Sequence, residues 1–144
     1  MQVEVNWLAV VLATLSTMVV GSVWYTPKVF GAKWEKLARI DRKNMANPTV
    51  AIGTTLVVSF ITAYVLAHVS YLSNNFFGNS FLQDAITTAF WMWLGFTAAR
   101  IITHDAFENR PRQLTLLTVS HELVTFLVMG VVIGLLPPTL PVGM

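Results

Sequence analysis

Glu122 directly follows His121 in the middle of a stretch, Leu114 to Leu136, that is otherwise free of charge. Arg100 stands late in a second apolar stretch, Phe81 to Thr103, which carries Asp84 early and is followed at once by His104. His68 falls near the end of a third, Val50 to Leu72. A carboxylate, an imidazole and a guanidinium can bind an ion, pass a proton or pair with one another. Each is costly to hold away from water and needs a partner there. These residue types therefore offer two polar groupings, Arg100, His104, His121 and Glu122 as a pathway and His68 with Asp84 as a pair nearer the other surface.

Other chemistry finds less support. With no cysteine in the chain, disulfides, thiolate metal sites and cysteine nucleophiles are excluded. His104-Asp105 and His121-Glu122 invite a metal reading, but a helix presents two ligands at i, i+3 or i, i+4, and adjacent residues lack that spacing. No Ser/His/Asp arrangement, phosphate loop or nucleic-acid motif is present. The expectation is a protein that is not an enzyme and carries no metal or cofactor.

The elements that must position these groups are membrane spans. The chain has 144 residues, 55% hydrophobic and only 11% charged, with a mean hydropathy of +0.63. A soluble domain carries about a quarter of its residues charged. Four uncharged or nearly uncharged runs, about 5–25, 50–72, 81–103 and 114–136, are each long enough to cross ~30 Å of hydrocarbon at ~1.5 Å per residue. The reading is a single all-α domain, a four-helix transmembrane bundle.

The basic residues are all gathered in alternate connections. Lys28, Lys33, Lys36, Arg39, Arg42 and Lys43 follow the first run, and Arg110 and Arg112 lie between the third and fourth, close to Arg100; together they make up the 9 Lys and Arg of the chain. By the positive-inside rule these two connections face the cytoplasm and both termini face out. Trp7 and Tyr71 then mark the outer interface, and Trp24, Tyr25 and Trp34 the inner one. Within the basic connection 28–43, Phe30, Trp34 and Leu37 share one helical face with Lys33, Lys36 and Arg39 around it. That pattern predicts a short amphipathic helix lying on anionic lipid headgroups rather than on nucleic acid.

Taking the last turn as centred near Asn109, Arg100 and Glu122 fall ~6 Å apart along the helix axes, so the arithmetic predicts an ion pair between the third and fourth spans. Thr97, Arg100 and His104 share a face of the third, and Thr115, Thr118, Glu122, Thr125 and Met129 a face of the fourth. His121 points about 100° from Glu122 and is expected on another face. Small residues at four-residue spacing, Gly130 with Gly134 and Gly95 with Ala99, are expected to bring helices close.

The stretch Asn6-Trp7-Leu8-Ala9-Val10, followed by Gly21-Ser22-Val23-Trp24-Tyr25-Thr26-Pro27 and Phe30-Gly31-Ala32-Lys33-Trp34, resembles a bacterial membrane family catalogued as domain of unknown function 1761. The likeness resumes at Phe107-Glu108-Asn109-Arg110-Pro111 and runs through His121 and Met129-Gly130 to Gly134. It implies a four-span protein of the bacterial inner membrane and brings no activity. Two functions remain. One is a small channel or transporter-like homo-oligomer with its polar site in the inner half of the bundle; the other is a non-transporting accessory protein that holds lipid or a partner protein.

Overall fold

The structure, a computed structural model, describes residues 3–40 and 47–139. Arg42, Lys43 and the terminal Pro141 lie outside the described residues. The first helix, α1 (Trp7–Trp24), begins where the Asn6 side chain accepts from the amides of Leu8 at 3.0 Å and Ala9 at 3.2 Å, satisfying two of the donors that a helix start leaves free. A short helix, α2 (Gly31–Ala38), follows a tight turn. Asn47 caps α3 (Pro48–Phe77), with Pro48 in the first turn, where no amide proton is required. Gly78 closes α3 in a left-handed conformation at φ 68. Ser80 caps α4 (Phe81–Phe107), and Pro111 precedes α5 (Arg112–Leu135).

All four long helices are apolar enough and long enough to cross a membrane. The chain is an all-α, multi-pass membrane protein. α5 is central, packing against both α1 and α4, while α3 packs against α1 and α4. Val10 and Ala13 of α1, Leu66 of α3, Ala85 and Ala89 of α4, and Met129 of α5 form the sealed core.

The two ends differ. At the first, the terminal end, the Asn6 amide reaches the carbonyls of Leu136 and Pro137 at 3.3 Å each, tying the start of α1 to the end of α5. Gly130 and Gly134 there meet α4 so closely that a Cβ on Gly134 would stand 2.8 Å from the Leu82 Cα. At the other, the basic end, α2 packs against α5 and the helices part. Every buried residue of α3 lies at or beyond Ser59, and Pro48 to Val58 contribute none. At 30 residues α3 is ~45 Å long, well over the hydrocarbon thickness. An excess of that size can be taken up by tilt, and this helix stands apart from the bundle core towards its N-terminus, where none of its residues is buried.

A break in helical register in α4 changes which residues face inward. Trp93–Ala98 is a π-helical turn, which holds one residue more than an α-turn. The inward positions run Asp84, Thr88 and Met92 in steps of four, then step by five to Thr97, and by four again to Ile101 and Asp105. The face expected from unbroken α periodicity is therefore displaced beyond the turn. Arg100 and His104 are exposed. Gly95 and Ala99 are exposed too, with open space where a Gly95 Cβ would lie, so they bring no described helices together, contrary to expectation. Gly130 and Gly134, by contrast, are in tight contact with α4.

Candidate functional site

The parting of α3 from α1 and α5 leaves a cavity of about 1120 Å³ in the basic half of the bundle. Its walls come from α1 (Thr17, Ser22, Tyr25), α3 (Thr55, Ser59, Thr62), α4 through Thr97 alone, and α5. From α5 come His121, Glu122 and Thr125, above a floor of Phe126 and Met129. No lysine or arginine is among the described lining residues. Glu122 supplies their one formal negative charge.

The hydroxyls of this wall are oriented by their own helices. Ser22 donates to the Val19 carbonyl at 3.0 Å, Thr55 to Ala51 at 2.8 Å, Thr62 to Val58 at 3.0 Å and Thr125 to His121 at 3.0 Å. Thr17 donates to the Thr14 carbonyl at 2.8 Å and pairs with the Ser59 hydroxyl at 3.0 Å, bridging α1 and α3. A hydroxyl has one proton and two lone pairs. With the proton directed to the backbone, the oxygen keeps an accepting lone pair for the cavity.

His121 and Glu122 do meet. The imidazole Nδ1 lies 3.2 Å from the Glu122 Oε1. The sequence argument placed them on separate faces because their Cβ directions diverge; the side chains are long enough to bend back across that angle. The imidazole is largely covered, 14% exposed against 31% for the glutamate side chain. It is held by aromatic rings from the C-terminal end of α1. The Tyr25 ring centroid lies 5.0 Å away, and Trp24 makes an edge contact at 5.7 Å. Trp34 of α2 packs edge-on to Tyr25 at 5.2 Å, and Phe30 lies 4.5 Å from Trp24. Gly21 runs beside the imidazole, where a Cβ would make an ordinary contact at 3.9 Å from Nε2. Gly31 is obligatory, because a Cβ at that position would collide with the Tyr25 carbonyl. The Gly-x-x-Trp-Tyr-x-Pro element and the Phe-Gly-x-x-Trp that follows thus build one aromatic bracket around His121. Two nitrogens within it, His121 Nε2 and Trp24 Nε1, are buried without a hydrogen-bond partner.

The remaining expected groups lie elsewhere. Arg100 and His104 do not line the cavity, and no described ion pair joins Arg100 to Glu122; the extra residue of the π turn has moved Arg100 outward. At the terminal end Asp84 is buried and accepts from the Asn74 amide at 2.7 Å and the Asn79 amide at 2.9 Å. It is not paired with His68, whose ring lies 6.0 Å from that of Tyr64. Asp105, weighed in the sequence only with His104 as a metal pair, is buried at the basic end, where Thr115 donates to it at 2.7 Å and the Arg110 Nε approaches to 3.7 Å. Trp34 and Leu37 line a groove with Pro111 and Leu114, on the side where α2 packs against α5, while Phe30 is exposed. Lys33, Lys36 and Arg39 stay exposed. Among the described residues no three His, Asp or Glu side chains come together as a metal site requires.

The chain belongs to the family described as a protein of unknown function (DUF1761), which it matches over residues 8–134. Searches of curated proteins and of solved structures found no match to it. The matched region takes in both the aromatic bracket and the His121–Glu122 pair.

Proposed function

We propose that this member of the family is a transporter-like protein that takes up a small solute from the cytoplasmic side into the cavity beside Glu122. The observation that carries this reading is a cavity of about 1120 Å³ within the span region with a carboxylate in its wall and no lysine or arginine among its described lining. An ionisable group at that depth is a functional marker by default. In the proposed orientation the basic connections lie in the cytoplasm of a bacterial cell, with the protein in the inner membrane and both termini outside. The cavity then opens inward, while the Gly130 and Gly134 contacts close the outer half. A path across the membrane takes a rearrangement of that closed half or a homo-oligomer, and Arg100 and His104 belong to its approach.

The absence of native cysteine makes a direct test simple. Thr125→Cys in vesicles of known orientation should react with a membrane-impermeant thiol reagent from the basic side and not from the other. A thiol that reacts from neither side would show the cavity sealed or lipid-filled, and the reading would fall. Recovery of a stoichiometric protein partner with an unreactive Thr125→Cys would favour the accessory role instead.

A further inference from the structure

The walls of the cavity and its charge select one class of occupant. We infer that the cavity binds an amphipathic organic ammonium ion, its charged head at Glu122 and its apolar body along α3 and the Phe126–Met129 floor; this rests on the solute-binding reading above and names its ligand.

Three observations converge. First, Glu122 is the one formal charge among the described lining, and the nearest basic group described, the His121 imidazole, is already engaged with it through Nδ1. A carboxylate in a region of low dielectric attracts a cation far more strongly than the same group in water. Second, Ser22, Thr55, Thr62 and Thr125 have each committed their proton to a backbone carbonyl. What these four turn to the cavity is acceptor capacity, beside the Thr54, Ser59 and Thr97 hydroxyls, for which no backbone acceptor is described. A ligand rich in acceptors, such as a sugar phosphate or a carboxylic acid, would meet lone pairs and a negative charge. An ammonium group brings N–H donors and positive charge to the same surface. Third, apolar side chains share the remaining lining with Thr17, Thr54, Ser59 and Thr97. Met18, Val19, Ile52, Val58, Phe126 and Met129 accompany the polar groups, and the volume is that of a pocket for a whole organic molecule, for which ~300–1,000 Å³ is usual. A bare metal ion would leave most of it unfilled. The Tyr25 ring adds an aromatic surface on which a cation is further stabilised.

The test uses the full chain in lipid nanodiscs and three fluorescent probes of nearly the same shape. Naphthylmethylammonium carries the cation, naphthylmethanol is neutral and naphthylacetate is an anion. The ammonium should bind above the level of empty nanodiscs, and Glu122→Gln should weaken it at least tenfold. Glu122→Asp, which keeps the charge, should retain most of the affinity and guards against a variant that merely misfolds. The bound ammonium should also protect Thr125→Cys from the thiol reagent. Equal binding of the neutral or anionic probe, or binding of the ammonium unchanged by Glu122→Gln, would overturn the inference, as expected if an acyl chain alone occupies the space. A Thr125→Cys that reacts from the basic side while no probe shows Glu122 dependence removes the ammonium ligand alone. An unreactive Thr125→Cys removes the solute-binding reading with it.

Discussion

The two halves of this bundle treat their carboxylates in opposite ways. Asp84, in the terminal half, is 3% exposed and its two oxygens take one amide each from Asn74 and Asn79. It also sits in the first turn of α4, where the helix dipole favours negative charge. Its needs are met by the loop that it closes. Glu122, in the basic half, has a single described side-chain partner, and its neighbours present acceptors to a cavity. The backbones follow the same division. Glycines bring α4 onto α5 in the terminal half, whereas α3 stands apart and α4 carries a π turn in the basic half. A carboxylate fully satisfied by its own loop is architecture. One left with open valence beside a cavity is the candidate site.

If the terminal half is the structural half, the largest losses of stability belong there. Gly134→Val should be the most severe, because the added Cβ would stand 2.8 Å from the Leu82 Cα and the two helices must separate. Overpacking of this kind costs about 3 kcal/mol, seen as a lower unfolding midpoint in detergent. Gly95→Val, in open space, is the control and should lose about 1 kcal/mol or less. Equal losses from the two would erase the distinction between the halves.

Asp84→Ala comes next. It strands two amide groups, one of them buried, and an unmet buried donor costs ~1–3 kcal/mol. His68→Ala should leave the unfolding midpoint nearly unchanged, since His68 does not hold Asp84; a large loss there would restore the His68–Asp84 pair. A smaller effect is expected at the border between the halves. Thr17→Val removes the hydroxyl link between α1 and α3, and such bonds within membranes average ~0.6 kcal/mol. The same denaturation curves measure all three.

The bundle itself was legible because length and apolarity are all that a membrane span needs: four runs predicted at about 5–25, 50–72, 81–103 and 114–136 correspond to α1, α3, α4 and α5 within a few residues. The site was legible only in part. Glu122 and His121 announce themselves as ionisable groups in an apolar run, but their contact was argued away from backbone directions that long side chains can overcome. Arg100 was misplaced because the arithmetic assumed an unbroken helix, and nothing local in Trp93 to Ala98 distinguishes a π turn from an α-turn. Asn74 escaped notice, and Asp105 was weighed only beside His104, because their partners, Asp84 and Thr115, lie ten residues away across a turn. The aromatic bracket was quoted as a motif, yet its meaning depends on α5 arriving beside α1, a contact with no trace in the spacing.

An effect on stability as small as that of His68→Ala should come from the residue proposed to hold the solute. Glu122→Gln keeps the shape of the side chain and an acceptor oxygen toward His121, and it relieves the cavity of a charge that no described lysine or arginine offsets. Its unfolding midpoint should stay within ~0.5 kcal/mol of the wild type, while entry of solute into the cavity is lost. Binding groups are commonly set at the expense of stability, so a slight gain would agree with the same picture. A loss comparable to that of Asp84→Ala would place Glu122 among the structural carboxylates. The functional contrast between the halves would then rest on the parting of α3 alone.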